Sequence, residues 1–167
     1  MITPAYVRTM AAYNAEMNRR WYAAADTLTD AQRREDQGAF FGSIHRTLSH
    51  LLWGDRIWMS RFAGWDAPEG GIPGSTSLYD DWAALKAGRT ESDARLLAWA
   101  AELDEAALAG DLTWFSGAAG REITKPRWFL VTHMFNHQTH HRGQVHAMLT
   151  RLGARTGDTD LPFVPLS

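Results

Sequence analysis

Apolar residues recur at helical period in four long segments of this chain. Each such stripe must be buried against another element, so helix-on-helix packing is the first constraint on the fold. The first segment runs from Thr3 to Leu28, with Thr3 placed as a cap and Pro4 at the first helical position, where its missing N–H does no harm. The second, Phe40 to Gly64, is apolar around most of its circumference and belongs centrally, with Gly64 as its stop. A third spans Leu78 to Leu108, with a break expected near Gly88, and a fourth follows Pro126 from Arg127 to Leu152. Before the fourth, "LTWFSGAAGREITKP" has two β-like runs about a Gly-rich centre, the signal of a short hairpin. The polar stretch "DTLTDAQRRED" and the Gly/Pro/Ser-rich "WDAPEGGIPGSTS" read as connections, and the tail "GARTGDTDLPFVPLS" as a strap over the surface. This pattern predicts an all-α protein, an antiparallel four-helix bundle with long connections and a short hairpin before the last helix. At 167 residues the chain suits a single domain over 1–167.

The fourth segment holds five of the seven histidines, at 133, 137, 140, 141 and 146. With His137 at zero and about 100° per residue, Leu130, Met134, His141, Val145, Met148 and Leu152 all fall within about 80° on one side. His137 and His141 therefore lie in the apolar stripe, His133 and His140 on its flank, and His146 on the opposite face. Imidazoles at i and i+4 are about 6 Å apart along the axis and can converge on one ion. Buried in an apolar stripe, the pair needs either a cation or polar neighbours to satisfy it. A third ligand would come from His45 or His50 of the second segment. These are five residues apart and so cannot readily serve one ion together, and periodicity does not choose between them.

The chain has no cysteine, which excludes a disulfide framework, a thiolate metal site and a protein thiol nucleophile. Any metal must be held by nitrogen and oxygen. A formal charge of -2 argues against nucleic acid or anionic lipid as a partner. No apolar run approaches the roughly 20 residues of a membrane span, and the N-terminus lacks the apolar core of a leader, so a cytoplasmic location is expected. The eight tryptophans are expected chiefly in the core and at a subunit interface, with a minority walling a substrate pocket. With the apolar second helix, they point to a homodimer.

The motifs "SIHRTLSHLLWGDRIWMSRFAG", "HMFNHQTHHRGQVHAML" and "DLPFVP" together resemble the DinB-like, YfiT-related family of metal-dependent four-helix-bundle proteins, over essentially the whole chain. The resemblance implies a metal triad of His50, His137 and His141, with Zn, Ni or Fe all compatible with imidazole ligation. A three-histidine set leaves a coordination position open, as in catalytic sites. It further implies a metal-dependent transferase acting on a small molecule with a low-molecular-weight thiol, which the absence of cysteine allows. A metal-dependent hydrolase and a non-catalytic metal-binding or stress-response protein are the alternatives. Asp55 reads either as a structural carboxylate paired with an arginine or tryptophan N–H, or as an acceptor orienting a ligand imidazole. Asn14 and Asn18 line the site or face solvent. Gly143 is expected to admit a close neighbour, and Arg142 and Gln144 to make bonds at the bundle surface.

Overall fold

The computed structural model describes residues 1–165. It is mostly helical with one small two-stranded sheet. The last two residues of the expected domain and tail, Leu166 and Ser167, lie outside the described residues. The long helices are α1 (Pro4–Asp26), α3 (Ile44–Ala63), α5 (Trp82–Glu102) and α7 (Arg127–Arg151). Shorter ones, α2 (Asp30–Arg34), α4 (Gly71–Gly74) and α6 (Glu105–Leu108), interrupt the connections, and β1 (Asp111–Ser116) pairs antiparallel with β2 (Arg121–Pro126). The caps follow the sequence: the Thr3 hydroxyl accepts from the Tyr6 amide and Pro4 opens α1. Gly64 closes α3 at φ 67°, a left-handed conformation that favours glycine. Where a polar connection was expected, Thr29 and Gln32 form a reciprocal capping box that starts α2.

The second and third long helices differ from the sequence expectation, and the third starts at Trp82, capped by Asp81, and not at Leu78. α3 begins at Ile44, capped by the Ser43 hydroxyl, so Phe40 and Phe41 precede the helix in a tight turn around Gly42 (φ 80°). α5 runs unbroken through Gly88, which is small for packing: a Cβ there would stand 2.9 Å from Tyr79 and 3.3 Å from Leu52. The break falls later, at Leu103, after which the Asp104 carboxylate caps the separate α6.

α1 packs against α5 and α7, and α3 packs against the same two helices. Antiparallel contacts join α1 to α5, as Trp82 and Lys86 reach Asp26 while Asn18 reaches Asp93. They also join α3 to α7, where Arg127 meets Phe62, Gln138 meets Asp55 and His137 meets His50. The other two contacts run in step, Arg89 on Asp55 and Trp99 on Phe62 between α5 and α3, and Phe135 on Tyr6 and His146 on Trp21 between α7 and α1. The long connection from Gly64 to Asp81 makes the parallel α3/α5 pairing feasible, because it returns the chain to the end where α3 began.

The core has two apolar compartments. One gathers Met17, Trp21, Leu48, Leu52 and Leu149, the other Val7, Met59, Leu96, Val131 and Phe135. Between them lies a buried polar layer drawn from all four long helices: Asn14 and Asn18, Asp55, Arg89 and Asp93, and Gln138 and Arg142. Asp55 accepts from Arg89 Nη1 at 2.5 Å and from Gln138 Nε2 at 2.8 Å, while Arg89 Nη2 pairs with Asp93 at 2.8 Å. Arg142 donates to the Asn14 side-chain carbonyl and lies 5.4 Å from the Tyr13 ring centroid. Arg142 is thus an interior residue, 2% exposed, and not a bundle-surface one. Two guanidinium and two carboxylate charges balance within the layer, which is the condition for tolerating buried ions.

Candidate metal centre

α7 sets the geometry. Its buried arc covers Met148, Met134, Val145, Gln138, Leu149, Arg142 and Phe135, which span about 20° to 160° from His137 on the wheel. His137 and His146 therefore sit at the two margins of one broad buried face. His137 borders α3. His146, expected to point away from the protein, instead stacks on Trp21 of α1 at 6.1 Å, because α7 is covered by two helices. His133 and His140 fall outside the arc and are exposed.

Across from His137 and His141, α3 presents His50. One nitrogen from each of the three imidazoles lies within 4.8 Å of the other two. His50 Nε2 and His137 Nε2 are 3.0 Å apart. Nitrogens sharing a tetrahedral ion at about 2.0 to 2.1 Å would be about 3.4 Å apart, so this donor set fits a small divalent cation with slight adjustment. The outer nitrogens of His141 and His50 are already engaged. His141 Nδ1 donates to the Gln144 carbonyl oxygen at 2.8 Å, and His50 Nδ1 bonds the Ser75 hydroxyl at 2.8 Å. The amide acceptor fixes His141 with its proton on Nδ1 and its Nε2 lone pair free, and the Ser75 hydroxyl holds the His50 ring in place, the usual way a ligand imidazole is oriented. His45, the other candidate, is spent elsewhere: its Nε2 bonds the Tyr79 carbonyl at 2.8 Å.

Asp55 holds Arg89 and Gln138 and accepts from no imidazole, which fits the structural reading. Asn14 and Asn18 are buried against Asp93, in the polar layer and away from the three histidines. The close-approach glycine is Gly54, where a Cβ would stand 2.9 Å from His137 Cε1; Gly143 has nothing near it. We expect Gly54→Ala to push the His137 ring aside and lower metal affinity about tenfold. Metal-free stability should be unchanged or slightly raised by helix propensity worth about 1 kcal/mol. Metal titration and chemical unfolding of the same sample check both halves.

Three contributors carried no sequence signal that pointed to the site. The Phe41 ring covers the histidines, 4.0 Å from the His50 ring and 5.2 Å from that of His141. It was hidden in an apolar run that reads as the start of a helix. Ser75 lies in a 3-10 turn within the long connection, fully buried. Trp53 stacks on His50 at 6.1 Å.

Burial depresses all three imidazoles: His50 to about 3, His137 to about 4, and His141 also below its ordinary value. For His50 and His137, burial is reinforced by neighbouring histidines. They are consequently neutral at pH 7, as metal ligation requires. In the metal-free protein the unfolded chain binds more protons than the folded one between about pH 6.5 and 4, so stability falls as pH falls through that window. Thermal unfolding in chelator at pH 7 and pH 5 should show the lower Tm at pH 5.

The sequence profile of the DinB family matches residues 1–166. The chain belongs to the DinB family. No curated protein matches it. Family membership agrees with the helical fold and with the resemblance carried by the "HLLWGD" and "HQTHHRGQ" motifs. Among the described residues, no helix of this DinB-family chain is long and apolar enough to cross a membrane.

Proposed function

We propose that this protein is a metal-dependent enzyme of four-helix-bundle architecture, with a divalent ion, Zn, Ni or Fe, held by His50, His137 and His141. The supporting observation is the convergence of three neutral imidazoles, one nitrogen of each within 4.8 Å of the others, with no carboxylate in the group among the described residues. A set of three leaves room for a small molecule at the ion, as catalytic sites do. A bound divalent ion would supply Lewis acidity, lowering the pKa of a coordinating thiol or water.

The chain's own residues supply the rest. Ser75 and Gln144 orient two ligand rings, and Phe41 shields the histidines from water on one side. With no cysteine in the chain, sulfur chemistry here requires a thiol from solution. Transfer of a low-molecular-weight thiol to a small electrophile is the reaction class we favour. A new C–S bond forms, the leaving group departs with its electron pair, and the thiol proton passes to solvent.

Elemental analysis of protein made without a polyhistidine tag should find about one divalent ion per chain. Its removal by chelator should lower Tm by several degrees, as expected when a ligand binds only the folded state. A panel of small thiols and electrophiles should give turnover that chelator abolishes. Metal without turnover across the panel would favour a non-catalytic metal-binding protein, and no metal at all would sink the proposal.

A further inference from the structure

A cavity of about 420 Å³ is lined by Trp53, Trp58, Arg61, Ile72, Trp114 and His133, with the three histidines behind its wall. Two of these side chains touch the histidine cluster: Trp53 stacks on His50, and the His133 ring centroid is 6.0 Å from that of His137. Trp58 stands between His133, at 5.3 Å, and Arg61, whose guanidinium carbon is 4.5 Å from the Trp58 ring centroid and 5.6 Å from that of Trp114. The β1–β2 hairpin thereby acquires a role, since Trp114 from β1 meets Trp58 at 5.5 Å and walls the cavity from above.

Arg61 is the chemically distinctive group. The other half-buried arginine on this helix, Arg56, donates to Ser92, Tyr79 and the Gly88 carbonyl. Arg61, among the described residues, has two aromatic faces and no carboxylate. Burial alone pushes its guanidinium below the ordinary value, with no neighbouring charge opposing it. A desolvated cation held between indole planes keeps its N–H edge free for a planar anion, and guanidinium matches carboxylate in a bidentate fork.

We propose that this cavity binds a small organic carboxylate, its anionic group on Arg61, its flat apolar body between Trp58, Trp114 and Ile72, and its far end toward His50 and His137. The orientation rests on the metal reading above; the preference for an anion does not.

The test is calorimetric titration with 3-phenylpropionate and with 3-phenylpropionamide, which has the same shape and no charge. Wild-type protein as purified should bind the acid at least about tenfold more tightly than the amide. Arg61→Met, which retains apolar contact with the indoles, should lose that preference while still binding the amide. A merely structural Arg61 would weaken both ligands alike. His137→Ala should keep the preference. Equal binding of acid and amide by wild type, or no binding of either in the millimolar range, overturns the inference. So does a preference that survives Arg61→Met but disappears in His137→Ala, since the carboxylate would then be sitting on the metal. That last outcome leaves the metal reading standing, whereas an acid preference in wild-type protein whose elemental analysis finds no metal would uphold the cavity and refute the metal.

Discussion

His137→Ala should leave the protein folded and nearly metal-free, with affinity for a divalent ion reduced roughly 100-fold or more, beyond the usual effect of altering a group behind a ligand. His137 is the ring through which the site is joined, since its Nε2 lies 3.0 Å from His50 Nε2 and its centroid 4.5 Å from that of His141. Without it, His50 and His141 remain as two ligands on different helices, and the binding energy of the triad is lost with the third. The folded state of the metal-free variant should suffer little, because His137 lies at the margin of the buried arc and carries a depressed pKa that already opposes folding in mild acid. Metal content by elemental analysis, read beside thermal unfolding in chelator, separates the two effects. Equal metal content in wild type and variant would remove His137 from the site and end the triad assignment.

Legibility of this site in the sequence differs residue by residue. His137 and His141 are readable because both obey a local rule, spacing of four within an apolar stripe. His50 is not distinguishable from His45 by any local rule: α3 is covered on most sides and both rings are buried, 7% and 2% exposed. What separates them is the register of α3 against α7, a tertiary quantity that family resemblance carries and periodicity does not. The width of the buried arc on α7 was missed for a related reason. Its second half mixes Gln138 and Arg142 with Val131, Leu149 and Phe135, so a stripe traced outward from His137 stops at the polar Gln138 and turns His146 outward. Gly88 and Gly143 were misjudged because a glycine's sequence context does not say whether another chain approaches it. Phe41 and Ser75 reach the histidines from irregular segments, whose paths depend on turns at Gly42 and within the long connection. The helices themselves were legible because caps and stripes are local.

Asp55→Ala should have the opposite signature to His137→Ala, a large loss of stability with the histidines intact. Asp55 is 2% exposed and holds Arg89, 3% exposed, at 2.5 Å, as well as the Gln138 amide at 2.8 Å. Its removal leaves two buried guanidinium groups facing one carboxylate, Asp93, and strips Gln138 Nε2 of its acceptor. Breaking a buried pair from one side costs about 3 to 5 kcal/mol, which for a domain of this size lowers Tm by on the order of 10 °C. Asp55→Asn keeps an acceptor in the same place and should fall between wild type and alanine, since it restores the amide bond and not the charge balance. A drop below about 2 °C for Asp55→Ala in chelator would mean that water or Asp93 satisfies Arg89 without help. Gln138 is the residue that links this layer to the candidate metal centre: it follows His137 directly on α7, and its bond to Asp55, which follows Gly54 on α3, ties the two helices together behind the His50–His137 contact. Metal affinity should therefore weaken in Asp55→Ala as well, by about tenfold, although the substituted side chain touches no ligand. Such a loss, found together with unchanged affinity in a variant destabilised elsewhere in the apolar core, Val7→Ala for instance, would attribute it to this tie and not to general loosening of the fold.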